Sequence, residues 1–450
     1  MKRTLVILAC AGTLLMGACT SDSSLPTPTG KGAVRAINAI SGSPEVGFLI
    51  EERTLDGIRY QDSSSPAEYD DFSYNFNFEI AYPGDTAFTR VATQELKVDA
   101  DRDHIMVLTG DITAPTILVW NGDIRSFAET DTVLEARFSH AHPALGNIDV
   151  YFDPPGTAPG TNPPAATLAF GEITAPADFA EGPYVMTIFA QGDLLTPLFT
   201  SRESTLLPRF AHVFTVFEGD ANDTAPVYVR SMTSIGNPLA LTDANYPPQV
   251  RFIHGASTLE PVDIYEDDQL TNLVVSGLDF RGASAWFDTD VEAKTYYFTP
   301  ANSTATILFE QAILAPAPGS FAQIYAIGDT DAWSAVGVVP SLGPTSTSAK
   351  IRMFHAALNH ESFDAYIKDR DEPLLEDDTP TLLNTAYGFA TPIIIIPAGN
   401  VDLYVTVRGE KTVIAGPYQI DAALGSNIEL LLVDTVDPLT AELVDITPTP

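Results

Sequence analysis

Beyond residue 19 the chain contains no cysteine, since its only two, Cys10 and Cys19, both fall in the first twenty residues. A disulfide framework and a thiolate metal centre are therefore excluded for everything downstream. Positive charge is also scarce: 23 Lys and Arg face 59 Asp and Glu in 450 residues, a net charge of −36. So acidic a surface repels nucleic-acid phosphate, which excludes nucleic acid as a partner of the folded part. The apolar run Leu5 to Leu15 is too short to span a bilayer comfortably, and no second run reaches spanning length. No apolar period of 3.6 is sustained long enough for a helix. Nucleophile elbow, His-Glu-x-x-His, phosphate-binding glycine loop and paired cysteines are all missing, so no standard catalytic signature is present.

What is there begins with a signal peptide over 1–18: basic Met1-Lys2-Arg3, the apolar run, and small residues at Gly17-Ala18. Leu15-Met16-Gly17-Ala18-Cys19 resembles the lipobox of bacterial lipoprotein precursors, with Met16 where that family more often has Leu. The resemblance implies cleavage before Cys19, lipidation of Cys19, and a membrane as partner through that lipid. Acyl chains contribute about 0.8 kcal/mol per buried CH₂, enough in twos or threes for stable anchoring. Residues 19–32, rich in Ser, Thr, Pro and Gly, read as a flexible tether. Thr20 after the cysteine, by the same resemblance, permits export to the outer membrane.

Downstream, one motif recurs. Val250-Arg251-Phe252-Ile253-His254-Gly255-Ala256 is followed by Val262-Asp263-Ile264-Tyr265. Copies stand at Arg137, His140 and Asp149, and at Arg352, His355 and Asp364. A worn copy keeps Arg35 but has Asn38 and Gly47 in the other two places. Twelve residues separate the Arg from the Asp position in every copy. A fixed register of this kind marks tandem units. Short alternating strands bounded by Gly, Pro, Asn and Asp predict an all-β chain of four immunoglobulin-like antiparallel β-sandwiches. The expected units are 33–123, 133–233, 249–340 and 350–450, with connectors near 124–132, 234–248 and 341–349. Asp153 to Ala166, with five Pro, reads as an exposed loop.

The motif resembles the DUF4397 family, domains of unknown function found in tandem in bacterial exported proteins. The resemblance implies no activity.

A histidine near an aspartate invites a catalytic reading. If the strands flanking the short loop are antiparallel neighbours, alternation puts Arg137 and Asp149 on one face and His140 in the core. The joint loss of His and Asp in the first copy argues instead for a His–Asp contact. Either pairing is more economical as an internal fastener repeated in each unit than as several active sites. His140 with His142 lacks third ligands for a metal, and Asp99-Ala100-Asp101-Arg102-Asp103 departs from a Ca²⁺ loop at His104 and Gly110. No cofactor is expected, and the acidic turns are compatible only with weak surface Ca²⁺ binding. The sequence thus points to a non-catalytic, lipid-anchored protein of the bacterial cell envelope, with an envelope protein or glycan as partner. A carbohydrate-active hydrolase and a structural spacer are the alternatives. Trp120, Trp286 and Trp333 fall in two of the four units, so they read as packing rather than a repeated glycan platform.

Overall fold

Strands form wherever short apolar runs are punctuated by Gly, Pro, Asn and Asp in the computed structural model, which describes residues 26–233, 238–330 and 332–448. The signal peptide, Cys19 and the start of the tether lie outside these residues. None of the described residues forms a helix, and so none offers a helix long and apolar enough to cross a membrane.

The first unit contains β1 (Lys31–Asn38), β2 (Val46–Ile50), β3 (Arg53–Ile58), β4 (Ala67–Asp70), β5 (Ser73–Ile80), β6 (Thr89–Lys97), β7 (Arg102–Asp111) and β8 (Ala114–Asp123). They make two sheets, in the orders β4-β1-β7-β8 and β3-β2-β5-β6. The same orders recur for the strands that begin at Gln249 and at Ala349. They recur again from Val133, where the sixth strand is split and Leu239–Leu241 adds an edge strand. The protein is therefore all-β and built of sandwiches, as the sequence predicts. One feature departs from an antiparallel plan. β1 runs parallel to β7, and the same parallel pairing joins Val133–His140 to Ala211–Glu218, Gln249–His254 to Phe321–Ile327, and Ala349–His355 to Asn427–Asp434.

The segment between β1 and β2 is an arch from one sheet to the other, not a hairpin. Their apolar residues meet across the sandwich: Val34 and Ala36 face Val46 and Phe48 in one cluster, and Leu134, Ala136 and Phe138 face Ile148 and Val150 in another. Corresponding clusters fill the other two units.

The remaining face of β1 and β7 is also buried. Ile37, Ile105, Val107 and Trp120 pack against Ala141, Val213, Phe217 and Met232 of the second unit. Ile253, Tyr325 and Ile327 of the third pack against Phe354, Leu431, Val433 and Ile446 of the fourth. Tyr325 and Phe354 stack with ring centroids 3.7 Å apart, and the Trp120 indole N–H donates to the Gly171 carbonyl at 2.8 Å. The units are thus joined in pairs, first with second and third with fourth, each side chain so buried contributing on the order of 2 kcal/mol. A strand covered on both faces needs apolar residues at every position, which is why Ile105-Met106-Val107-Leu108 and Leu430-Leu431-Leu432-Val433 are unbroken runs.

The connector before the fourth unit is docked. Leu342 and Gly343 donate their N–H groups to the Asn222 side chain, and the Ser346 N–H donates to the Gly42 carbonyl at 2.7 Å. The proline-rich loop after Asp153 is exposed over most of its length.

Candidate functional site

Because β1 and β2 lie in opposite sheets, the Arg and Asp of the motif point out of opposite faces of the sandwich. They do not pair, and neither pairs with the His. Alternation places each side chain on the correct side of its strand, but the two strands are not sheet neighbours.

Each arginine reaches a backbone carbonyl in, or one residue past, the strand that follows the parallel-paired strand of the other unit in its pair. Arg35 donates to the Thr233 carbonyl at 3.1 Å and Arg137 to the Asn121 carbonyl at 2.8 Å. Arg251 donates to the Ile446 carbonyl at 2.8 Å, and Arg352 to the Val339 carbonyl. The charge is balanced differently in each: Arg35 with Asp103 at 2.7 Å, Arg251 with buried Glu429 at 3.1 Å. Arg137 has carbonyl partners at Thr174 and Asn121, and burial lowers its pKa, as it does that of Arg251. A Cβ on Gly122 would meet the Arg137 guanidinium at 2.2 Å, so the absence of a side chain there admits the clamp.

In three of the four copies the residue at the histidine position ties the arch. His140 Nε2 lies 3.0 Å from the Gly146 carbonyl, and His254 Nε2 lies 3.5 Å from that of Glu260. Asn38 performs the same task, accepting from the Ile40 N–H and donating to Ser43 at 2.7 Å. His355 packs edge-on to Phe363 and Tyr387. All three rings are buried, and burial depresses their pKa.

The aspartates hold backbone in left-handed conformations. The Asp263 carboxylate accepts from Gly277 and Asn302 N–H groups, both at 2.7 Å, and Asp364 accepts from Asn384 at 2.7 Å and Gly409 at 2.8 Å. All four donors have positive φ. Opposite Asp263 and Asp364 the strand register shifts, and the bulge presents the N–H. Opposite Asp149 the ladder is regular, and Thr167 supplies a hydroxyl instead, beside the Gly192 N–H at 2.8 Å.

A cavity of about 860 Å³ lies where the two pairs meet. Its walls are the 42–45, 59–61 and 81–83 segments of the first unit, Asp220 to Asp223 of the second, the docked connector, and Lys350, Ile393 and Ile395 of the fourth. Tyr60 donates to the Glu218 carbonyl at 2.6 Å, and Gln61 bridges Glu218 and Asp223. Burial pushes the Asp223 carboxyl above its usual range, while burial lowers the Lys350 ammonium. Lys350 donates to the Gly343 carbonyl at 2.7 Å. Sequence reasoning missed this cavity because its walls come from six separated stretches, none carrying a motif. Among the described residues no three His, Cys, Asp or Glu side chains are grouped to hold a metal ion. Asp103 of the acidic run near residue 100 is spent on Arg35.

Fold and fasteners define a class: paired β-sandwich units in tandem, locked by internal polar groups. The chain belongs to the family described as a domain of unknown function (DUF4397), whose sequence model matches residues 32–151 and 248–366. Both matches run through one unit and end within the second strand of the next, so each takes in the strand that follows the first member of a pair. No curated protein matches the sequence. Among solved structures, the Bacillus anthracis TIE protein aligns at 11% identity over 90% of this chain and 68% of that one, with a TM-score of 0.15. The product complex of a multi-modular glycogen-degrading pneumococcal virulence factor, SpuA, aligns at 8% identity over 86% of this chain and 38% of that one, with a TM-score of 0.14. Neither alignment carries an argument about function.

Proposed function

We propose that the chain is a non-catalytic, lipid-anchored binding protein of the bacterial cell envelope. The observation that carries the non-catalytic reading is that the Arg and Asp of the motif, and the His or Asn in three of its four copies, are bonded to backbone or to a neighbouring fastener. Residues that recur because they hold each unit together are not a set of repeated active sites. The anchor is supported by the sequence Leu15 to Cys19 alone. Tandem units on a lipidated tether project a binding surface away from the membrane.

Metabolic labelling with a radioactive fatty acid tests the anchor. Label should enter the wild-type chain and be absent after Cys19→Ser; label retained by the variant would contradict it.

A further inference from the structure

Two buried hydroxyls on the wall of the junction cavity have no hydrogen-bond partner among the described residues. Ser348 and Thr347 are 1% and 8% exposed, and both residues line this space from the docked connector. A buried polar group left unsatisfied costs about 1–3 kcal/mol, so a ligand that meets both groups recovers that cost. Resting on the binding reading above, we propose that the cavity is the ligand site and that its ligand is a neutral oligosaccharide.

Charge and shape favour that class. Glu45, Asp220 and Asp223 face Arg59 and Lys350 on this wall, so it offers an anion no net positive charge. Asp220 and Asp223 are bound into one turn: the Asp223 carboxylate accepts the Asp220 N–H at 3.0 Å, and Asp220 accepts from Asn222. A cation therefore meets carboxylates already occupied. A sugar hydroxyl is donor and acceptor together, which suits a wall of hydroxyls, amides and carbonyls. Half-buried Tyr82 and Pro83 add apolar ring surface on the first unit's side, where the C–H face of a pyranose can rest. A volume of about 860 Å³ lies within the range of small-ligand sites and exceeds what a lone ion needs.

The test is titration calorimetry on the full chain in detergent, with maltotriose, cellotriose, xylotriose and chitotriose as neutral probes and inorganic phosphate and spermidine as charged controls. At least one trisaccharide should bind and be recovered intact, and the controls should not bind. Thr347→Val and Ser348→Ala should each weaken binding about three- to tenfold, the loss of one neutral hydrogen bond. Both variants should keep or raise Tm, because no existing bond is removed. A merely structural hydroxyl would lower Tm and leave affinity unchanged. Binding of a charged control alone, or saccharide binding untouched by both variants, would overturn the proposal. If no trisaccharide binds but the chain still retains cell-envelope material, the ligand class fails and the binding reading stands; if it retains nothing, both fail. Cleavage of a bound saccharide would overturn the non-catalytic part alone.

Discussion

Burial holds the His355 imidazole neutral, its pKa pushed down to about 4, and that of His212 likewise. In the unfolded chain the same ring takes up a proton near its ordinary value of about 6.5. Between those pH values the unfolded state binds more protons, so stability rises with pH across the window. The contribution is fully present above the unfolded pKa and is lost as pH falls toward the folded one. For His355 this amounts to about 3 kcal/mol, one pKa unit being about 1.4 kcal/mol. Asn38 occupies the corresponding position in the first unit and bonds its arch through the amide, so His355→Asn is the informative replacement. Urea unfolding at pH 7 and pH 4 should show the variant losing less stability than the wild type over that interval. Equal losses would mean that the ring is protonated in the folded state.

At the scale of the element, each aspartate of the motif is a splint between strands. Asp263 fixes the bulged third strand and the turn after the fifth strand of its unit, through Gly277 and Asn302. Asp263→Ala leaves both N–H groups without that acceptor and should destabilise the chain by about 1–3 kcal/mol in urea unfolding. Asp263→Asn keeps one acceptor oxygen but sets its NH₂ donor against the other backbone N–H, so it should lose a comparable amount; equal stability of all three chains would show that the carboxylate fixes nothing. The strands themselves were legible: short apolar runs between turn residues, with Val34, Ala36, Phe138 and Val150 inward as alternation requires. The pairing of strands was not. Alternation says which side of a strand a residue occupies, but it does not distinguish a sheet neighbour from a strand across the sandwich. An arch with no Asn-Gly or Asp-Gly turn therefore looks like a hairpin from the sequence, and alternation across a hairpin favours Arg137 with Asp149. The left-handed residues that bind the aspartates, such as Asn302 and Asn384, carried no periodic signal.

At the scale of the molecule, the arginines and the second apolar faces make the pair, rather than the single sandwich, the folding unit. The clue was present in Ile105 to Leu108 and Leu430 to Val433, where both strand faces are apolar. A lone sandwich with one solvated face would alternate there. The cavity is a consequence one level higher, since it exists only where one pair is set against the other through the docked connector. Thermal unfolding of fragment 26–132, beside the paired fragment 26–248, tests the pairing most directly. The account predicts one cooperative transition for the pair. The lone unit, with Ile37, Ile105, Val107 and Trp120 uncovered, should melt well below it or self-associate. A monomeric first unit with the same Tm as the pair would contradict the account.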